Sequence, residues 1–304
     1  MVINIKEPLF SVVIPAYNVE NFVCEALDSV AGQTISDYEI IVVDDGSTDG
    51  TFRKIASWSK EHPEVRLGIF KQVNKGIGGA RNTGIRHTNG VFVAFLDADD
   101  VWLERKLEFV ADHIKEVPGV DVVCHDEWLQ TDKAGKKRLT YGPYATYRDL
   151  LFKGNCISTS ATVVRRQKIL EVGGFSEDMQ FNGVEDYDLW LRLAQANCRI
   201  EYLHKILGVY RVYGQGVTNN IALHNQHSMN LLNAHFQKWQ PKTLYYRYLI
   251  RRCRAGTLRG GGHSFMKQGN HSKAQRYLFM ALKQDPFNWK TWVLTLLNTA
   301  RISK

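Results

Sequence analysis

Short apolar runs rich in β-branched residues alternate with segments of helical periodicity along the amino-terminal part of the chain. The apolar runs predict strands at residues 9–14, 38–43, 65–70 and 91–96. The segments between them repeat apolar residues every three or four positions, which predicts helices at residues 19–31, 51–60, 78–87 and 103–117. Strands that alternate with helices favour a parallel, doubly wound α/β sheet with right-handed crossovers.

The regular alternation weakens after the fourth strand. Apolar runs predict further strands at residues 120–124 and 158–164, and a helix opens near Glu185. Residues 132–142 are polar, basic and rich in turn residues, which predicts a surface loop.

The carboxyl-terminal part of the chain is predicted to be helical. Small residues and a proline in residues 264–288 are spaced as in one tetratricopeptide hairpin, and a single copy cannot form a superhelix. We therefore predict an α/β domain over residues 1–220 and a helical subdomain over residues 221–304. The last helix, at residues 289–299, gathers aromatic and aliphatic side chains on one face. Core packing is the expected explanation, and contact with a membrane interface is the alternative.

Three carboxylates follow the apolar run that ends at residue 96, namely Asp97, Asp99 and Asp100. Open α/β sheets bind ligands at the carboxyl ends of their strands, which places these acids at a candidate site. Neighbouring carboxylates raise each other's pKa unless a cation compensates, and an oxygen-only cluster suits Mg²⁺ or Mn²⁺. An Asp-rich turn that caps the following helix is the structural alternative.

Polar residues also follow the first two predicted strands, with Tyr17 and Asn18 after one and Asp44 and Asp45 after the other. These strand ends are expected to converge on one edge of the sheet. The glycine-rich segment 74–82 adds flexible backbone and the cation of Arg81, which suits phosphate, or it forms a turn without a ligand. It is not a dinucleotide fingerprint, because Arg81 occupies the position of the last glycine.

Two more acids, Glu185 and Asp186, lie in the first turn of a predicted helix. The helix dipole favours negative charge there, so simple capping explains them as well as a catalytic role does.

Composition narrows the class of protein without choosing a partner. The chain has 304 residues, of which 44% are hydrophobic and 23% charged, as in soluble globular proteins. Its net charge of +8 favours anionic partners such as nucleotide phosphates, acidic glycans, a membrane surface or nucleic acid. The five cysteines are widely spaced and are expected to be reduced. We find no signal-peptide pattern and no run long enough to span a bilayer, which predicts a cytoplasmic protein, with contact to the inner face of the membrane as an option.

Taken together, the motifs resemble a family 2 glycosyltransferase with the GT-A fold. The resemblance is carried by residues 11–18 (SVVIPAYN), 42–49 (VVDDGSTD), 76–82, 96–100 (LDADD) and 185–186, in that order. It covers residues 9–220 and implies a Rossmann-like, mostly parallel central sheet flanked by helices, followed here by a helical appendage. It also implies inverting transfer of a sugar from a nucleoside diphosphate donor, most simply a UDP-sugar, to a hydroxyl of a glycan or lipid-linked acceptor, in the synthesis of polysaccharide, lipopolysaccharide or another glycoconjugate.

The resemblance also implies roles for individual residues. Asp97 and Asp99 match the Asp-x-Asp motif that binds the donor through a divalent cation, and Asp186 matches the catalytic base. Glu185 and Trp190 are expected on the acceptor side. The residues expected to contact the donor nucleotide sugar are Pro15, Ala16, Tyr17, Asn18, Glu20, Asp44, Asp45, Gly76, Arg81, Asp97, Ala98 and Asp99.

One position departs from the family pattern and leaves the metal ligands incomplete. Many relatives carry a metal-binding His after the Tyr-Arg pair at 210–211, whereas this chain has Tyr213 there. His224 is an alternative third ligand, and Arg211 could instead face the diphosphate.

Other classes of protein remain as rivals. A catalytically weak or inactive transferase-like protein that recruits partners through its helical tail is the main one, and the intact acids argue against it. A sugar-phosphate nucleotidyltransferase usually has a glycine-rich loop where this chain has residues 15–18. Nucleic-acid binding is not expected, because the basic residues are dispersed and no known module is present.

Overall fold

The computed structural model describes residues 7–131, 134–212, 220–239 and 243–301. They form two compact units. The second unit contains the described residues from 220 onward together with residues 151–154 and 178–184, and the first unit contains the rest. The two short segments come from the part of the chain that the sequence assigns to the first domain.

The first unit is built on a mixed β-sheet with the strand order β3-β2-β1-β4-β8-β6-β9-β5, and β7 pairs with β6. The strands are β1 Phe10–Ala16, β2 Tyr38–Asp44, β3 Leu67–Lys71, β4 Phe92–Phe95, β5 Val101–Trp102, β6 Val122–Thr131, β7 Ala134–Leu139, β8 Thr162–Arg165 and β9 Ile200–Val212. The helices in this stretch of chain are α1 Val23–Ala31, α2 Thr51–Glu61, α3 Gly76–Arg86, α4 Lys106–Glu116, α5 Tyr147–Lys153, α6 Arg166–Glu171 and α7 Glu185–Gln195.

The first four strands confirm the α/β alternation predicted from the sequence. β1 pairs in parallel with β2 and β4, and β2 pairs in parallel with β3. Every side chain of β1 and β4 is buried, which explains why their sequences are apolar except for Ser11, whose hydroxyl donates to Glu39. The other half of the sheet is mixed, because β8 runs antiparallel to both β4 and β6 while β9 runs parallel to β6.

The loop predicted at residues 132–142 is wrong over most of its length, because Ala134–Leu139 forms β7. This strand pairs antiparallel with β6, with Glu127 opposite Leu139 and Trp128 opposite Arg138. β7 is an edge strand, because β6 is the one strand with which it pairs among the described residues, and its basic side chains are exposed. Charged residues are the usual protection of an edge strand, and here they conceal the strand pattern.

The second unit contains the carboxyl-terminal helices that the sequence predicts, namely α8 Ile221–Trp239, α9 Leu244–Lys267, α10 His271–Gln284 and α11 Trp289–Thr299. α9 and α10 form a hairpin that turns at Gly269, whose φ of 73° suits glycine. The Asn270 side chain caps α10 by accepting a hydrogen bond from Lys273 N. The two helices approach closely at Gly262, where a β-carbon would lie 2.8 Å from the Leu278 side chain.

The last helix, α11, is reversed with respect to the usual amphipathic pattern. Trp289 and Leu296 are 68% and 67% exposed, and Trp292 and Val293 lie on the same solvent-facing side. Its buried residues are the polar Thr291, Thr295 and Asn298, and the partly buried Leu294 and Leu297 pack beside them against a core cluster. The expectation that the aromatic face packs in a core is therefore wrong.

Hydrogen bonds explain why the polar face of α11 points inward. Asn298 Nδ2 donates to His271 O at 3.0 Å and to Gln275 Oε1 at 2.6 Å, and its Oδ1 lies 2.9 Å from His271 Nδ1. Within the described ranges, none of the helices combines the length and the apolar character that crossing a bilayer requires.

Candidate active site

The carboxyl ends of β1, β2 and β4 lie at one edge of the sheet, as the sequence predicts. Asp45 N, directly after β2, donates to Ala16 O at the end of β1 at 2.8 Å. Leu96 N, directly after β4, donates to Val13 O at 3.1 Å. The polar residues that follow these three strands therefore start from neighbouring positions.

The loop after β1 is anchored to the loop after β2. Pro15 and Ala16 are buried within β1, whereas Tyr17 is half exposed. Asn18 has a φ of 51°, a left-handed conformation that Asn tolerates better than most residues. Its backbone N donates to Ser47 Oγ at 3.0 Å, and its side-chain oxygen accepts from Thr48 N at 2.9 Å.

Glu20 makes a second connection between these loops. Its Oε2 accepts a hydrogen bond from Gly50 N at 2.8 Å, and its backbone N donates to Asp49 Oδ2 at 3.2 Å. The carboxylate expected at the nucleotide thus also holds the start of α2.

Asp44 and Asp45 are both buried, and they have different partners. Asp44 Oδ1 accepts from Ser47 N at 3.2 Å, and Lys71 Nζ lies 3.8 Å from its other oxygen. Asp45 Oδ1 accepts from Gln72 Nε2 at 2.7 Å and from Lys75 N at 2.9 Å.

The bond from Asp45 to Lys75 N positions the residue directly before Gly76, where α3 begins. Gly76 has a φ of 76°, a left-handed conformation that glycine adopts readily because it carries no side chain. The acid after β2 and the glycine-rich segment are thereby joined, although they lie in separate motifs.

Arg81 on α3 is a buried cation of the site, with 2% exposure. Its Nη1 donates to Glu185 Oε1 at 2.7 Å and its Nη2 donates to Asp97 Oδ1 at 2.7 Å. Burial opposes the charged form, but the carboxylates of Asp97 and Glu185 outweigh it and hold the pKa of Arg81 above its usual value. The guanidinium also lies 5.1 Å from the Phe175 ring.

The guanidinium of Arg81 therefore joins two predicted functional acids that lie far apart in sequence. The planar fork of an arginine suits such a bridge, because each nitrogen can serve a different carboxylate. Its third nitrogen, Nε, is buried without a hydrogen-bond partner in the described part of the chain.

The three acids after β4 have different environments. Asp97 and Asp99 are partly exposed, whereas Asp100 is buried. Asp100 Oδ2 accepts from Ser160 Oγ at 2.6 Å and its Oδ1 accepts from Arg211 N at 2.8 Å. Asp100 is therefore held inside the protein, and the Asp-x-Asp pair, with buried Ala98 between its members, remains near the surface.

The carboxylates of Asp97 and Asp99 fit a hard divalent cation. Burial, followed by the nearby charge of Asp97, raises the pKa of Asp99 to about 6, and a bound cation would relieve the repulsion between the two carboxylates. Among the described residues no group of three or more side chains is arranged to hold a metal. Mg²⁺ is commonly held by one or two carboxylates together with substrate phosphates, so the pair suffices if the donor supplies the other ligands.

The structure describes two of the three other candidates for the metal or the diphosphate. Tyr213, where the family pattern has a His, is outside the described residues, and His224 lies in α8 of the second unit. Arg211 donates from its Nε to the carbonyl of Asp99 and pairs with Glu25 through its Nη1. Arg211 thus supports the backbone of the acidic loop.

Asp186 lies beside Glu185 at the start of α7 but has different partners. Its Oδ2 accepts from Thr159 Oγ1 at 3.1 Å, and its Oδ1 accepts from Tyr187 N at 2.6 Å. Burial raises the pKa of Asp186, while the charge of Arg81 opposes the rise. Successive helical residues point about 100° apart, which is why only Glu185 bonds to Arg81.

Asp188 has a structural environment. It accepts from Arg192 Nε at 2.7 Å, and the same guanidinium donates to Val172 O and Gly174 O at 2.6 Å each. This clamp fastens α7 to the turn that follows α6.

The acceptor-side assignment of Trp190 is corrected by the structure. Its side chain is fully buried, with ring centroids 6.5 Å from Phe95 and 6.4 Å from Phe175. A ring without exposed surface offers nothing for an acceptor to contact. The aromatic residue on the polar-looking helix belongs to the core between α7 and β4.

Sequence reasoning did not single out Ser158, Thr159 or Ser160 as site residues. The sequence predicts a strand that begins at residue 158, but β8 starts only at Thr162. The run of three hydroxyl residues, separated from buried β8 by one alanine, is the feature of the sequence that could have identified them as site residues.

Two known protein families match parts of this sequence. The family described as "Glycosyl transferase family 2" matches residues 11–174, more than half of the chain. A family described as "N-terminal domain of galactosyltransferase" matches residues 150–214.

Two curated proteins of Escherichia coli are among the similar sequences. Chondroitin synthase is 28% identical over 273 residues, which cover 83% of this chain and 36% of that protein. The UDP-Glc:alpha-D-GlcNAc-diphosphoundecaprenol beta-1,3-glucosyltransferase WfgD is 31% identical over 194 residues, which cover 62% of this chain and 71% of that protein. An uncharacterized glycosyltransferase of Rickettsia conorii is 29% identical, with 79% of this chain and 40% of that protein covered. This chain therefore spans less than half the length of the first and the third.

Solved structures show the same fold. S. aureus TarS 1–349 in complex with UDP-GlcNAc has a TM-score of 0.65 at 19% identity and covers 96% of this chain and 88% of its own. The mannosyltransferase PcManGT from Pyrobaculum calidifontis, in complex with GDP-Man and Mn²⁺, has a TM-score of 0.59 at 19% identity and covers 98% and 86%. The predicted GT-A fold with carboxyl-terminal helices is confirmed, and with the family match it follows that the chain belongs to glycosyltransferase family 2.

Proposed function

We propose that this protein is an inverting glycosyltransferase that moves a sugar from a nucleoside diphosphate donor, foremost a UDP-sugar, to a hydroxyl of a glycan or lipid-linked acceptor. The observation that carries the proposal is the bridge from Arg81 to Asp97 and Glu185, with Asp186 directly beside it. The buried guanidinium of Arg81 thus joins the donor-side acid Asp97 to Glu185, the neighbour of the proposed base, at one edge of the sheet. The name of the E. coli relative WfgD and the ligands of the solved neighbours support a nucleotide-sugar donor.

The residues divide between donor and acceptor in this proposal. The loops of Tyr17, Asn18, Asp44 and Asp45 receive the nucleoside. Asp97 and Asp99 hold a divalent cation, either Mn²⁺ or Mg²⁺, which when bound neutralises charge on the diphosphate. Arg81 holds Asp97 in place and adds positive charge beneath it.

Asp186 is the base that takes the proton from the acceptor hydroxyl. A hydroxyl is a weak nucleophile until a positioned base accepts its proton. The raised pKa of Asp186 makes it a better proton acceptor than an ordinary aspartate. Glu185 accepts a hydrogen bond from Arg81, so we assign it the role of holding that arginine in place of a contact with the acceptor.

A thermal-shift panel tests the class of donor. A ligand that binds the native state alone raises the unfolding temperature, so UDP, GDP, UDP-GlcNAc, UDP-glucose and GDP-mannose are compared with and without Mn²⁺. A cation-dependent shift with a nucleotide sugar, followed by its slow hydrolysis, supports the enzyme. Absence of any turnover with a bound donor would favour the inactive, partner-recruiting protein.

Asp99→Asn should weaken cation-dependent donor binding by roughly tenfold or more, since even loss of an outer-shell partner of a metal costs about that much. Calorimetry with the nucleotide selected by the panel, in Mn²⁺ and in EDTA, gives the measurement. Asp112→Asn is the matched control, because Asp112 is an exposed acid on α4 that pairs with Lys115. Equal nucleotide affinity for Asp99→Asn and the wild type in both buffers would contradict the assignment.

We also propose that the carboxyl-terminal helices contact an anionic membrane surface, such as the inner face of a cell membrane. The apolar face of α11 is exposed, and Lys290 and Arg301 flank it. Asp285 is the single acidic residue of the sequence after Glu201, although basic residues recur throughout that part. Exposed tryptophans beside basic residues are typical of helices that lie in a membrane interface.

Replacing Trp289 and Trp292 together by Ser should abolish most of the binding to vesicles that contain anionic lipid, because the double variant removes the largest apolar contacts. Flotation of the full chain on phosphatidylglycerol-containing and on purely zwitterionic vesicles gives the measurement. Leu170→Ser, on exposed Leu170 of α6, is the control. If wild type and double variant float equally poorly and the wild type self-associates in gel filtration, the face joins copies of the protein.

A further inference from the structure

Three consecutive hydroxyl residues, separated from β8 by Ala161, contact three separate carboxylates. Ser158 Oγ donates to Glu127 Oε2 at 2.8 Å, Thr159 Oγ1 donates to Asp186 Oδ2 at 3.1 Å, and Ser160 Oγ donates to Asp100 Oδ2 at 2.6 Å. The partners lie on β6, on α7 and in the loop after β4. We refer to residues 158–160 as the hydroxyl segment.

Ser160 also reaches the donor side of the site. Its Oγ accepts a hydrogen bond from Asp97 N at 3.1 Å while donating to Asp100. One hydroxyl therefore fixes both the backbone of the first Asp-x-Asp residue and the side chain of the buried acid after it.

The hydroxyl segment is itself held by buried bonds. The carbonyl of Ser160 accepts from Trp102 Nε1 at 2.9 Å and from Lys106 Nζ at 2.8 Å. Thr162 Oγ1 donates to Ser158 O at 2.5 Å, and Thr162 N donates to Thr159 O at 2.9 Å. Thr159 and Ser160 are 6% and 2% exposed, so reorienting either hydroxyl would leave buried polar groups unpaired.

We propose that Thr159 is a positioning residue for Asp186 and Ser160 is a positioning residue for Asp97, so that the hydroxyl segment holds the base and the donor-side acids at a fixed separation. The inference rests on the proposed function, because it takes Asp186 as the base. It adds residues that bind neither donor nor acceptor and that act through the acids they hold.

The surroundings of Asp186 give the expected direction of the effect. Arg81 faces it from α3, the charge of Asp97 faces it from the loop after β4, and Tyr187 N bonds it from its own helix. Glu185, beside it on α7, is paired with Arg81. A hydrogen bond to the ionised form lowers the pKa of a carboxylate, so removal of the Thr159 hydroxyl should raise the pKa of Asp186 further.

Thr159→Val removes the hydroxyl at nearly constant volume, and Thr159→Ser retains it. With the donor selected by the thermal-shift panel, we expect Thr159→Val to shift the acid limb of the kcat profile to higher pH and to lower kcat about tenfold at the wild-type optimum. Nucleotide affinity should not change, and Thr159→Ser should restore both properties. Thr295→Val is the matched control, since Thr295 is a buried threonine of α11 that bonds to a carbonyl outside the hydroxyl segment and should leave the acid limb unmoved.

Ser160→Ala should show the complementary pattern, with weaker nucleotide affinity in Mn²⁺ and no shift of the acid limb. A Thr159→Val profile superimposable on that of the wild type would overturn the inference, and so would a Thr159→Ser variant as impaired as Thr159→Val. Asp186→Asn, measured in parallel, distinguishes failure of the proposed base from failure of the positioning role of Thr159. If Asp186→Asn keeps full turnover, the proposed base is wrong. If it loses turnover while Thr159→Val is unaffected, the positioning role alone is wrong.

Discussion

Asp186→Asn is expected to lower kcat by roughly 10² to 10⁴-fold, the usual contribution of a general base, while nucleotide affinity stays close to that of the wild type. The substitution retains the size of the side chain and can keep the bond from Thr159, but it removes the oxygen that accepts the acceptor proton. Initial transfer rates at saturating donor, alongside calorimetric affinity for the nucleotide, give the measurement.

Neighbouring acids on α7 supply the controls for this prediction. Asp188→Asn should weaken the clamp made by Arg192 and lower stability more than turnover. Glu185→Gln should loosen Arg81 and so affect donor binding as well as rate. If Asp186→Asn turns over at nearly the wild-type rate while Glu185→Gln loses turnover, the two roles must be exchanged.

The pH profile is a second readout of the same residue. Burial raises the pKa of Asp186 above that of an ordinary aspartate, and the protonated acid cannot accept a proton. Turnover should therefore fall as the pH is lowered through this raised pKa and be fully present above it. The acid limb should be missing from whatever activity Asp186→Asn retains.

Arg81→Met is expected to destabilise the protein by about 3–5 kcal/mol and to abolish donor turnover. The substitution removes the cation but leaves Glu185 buried and Asp97 partly buried, so both lose their counter-charge. Urea unfolding of the wild type and the variant gives the stability difference.

The adjacent surface arginine makes this prediction specific. Arg86 lies on the same helix and donates to Thr83 at an exposed position, so Arg86→Met should change the free energy of unfolding by less than about 1 kcal/mol. Arg81→Lys should fall between the two, because a compact ammonium cannot serve two carboxylates with the geometry of a guanidinium. An Arg81→Met variant as stable as the wild type would show that the bridge contributes nothing.

What could be predicted from the sequence depends on how local each feature is. The acids Asp97, Asp99 and Asp186 follow or begin elements whose periodicity is clear, so their positions at strand and helix ends could be predicted. The contact between Arg81 and Glu185 joins residues 104 positions apart, and no local pattern encodes it. The same holds for the bond from Thr159 to Asp186.

The predictions that the structure contradicts concern Trp190, β7 and α11. In each case the polarity of the local sequence is a poor guide to which side chains are buried. Trp190 lies on a helix with several acids and looks exposed, yet tertiary packing buries it. The basic side chains of β7 resemble those of a loop, because an edge strand needs few apolar residues. On α11 the hydrogen bonds of Asn298 decide which face turns inward, and the apolar periodicity alone predicts the opposite orientation.

The bridge made by Arg81 also constrains the order in which the site can be completed during synthesis. Its two carboxylate partners emerge from the ribosome at different times, since Asp97 follows Arg81 by 16 positions and Glu185 by 104. The nascent chain can pair Arg81 with Asp97 early, but the second pairing requires closure of a much longer loop. The bridge from the donor-side acids to α7 can therefore be completed only after residue 185 has been synthesised, and a shorter nascent chain carries the Asp-x-Asp pair without the base.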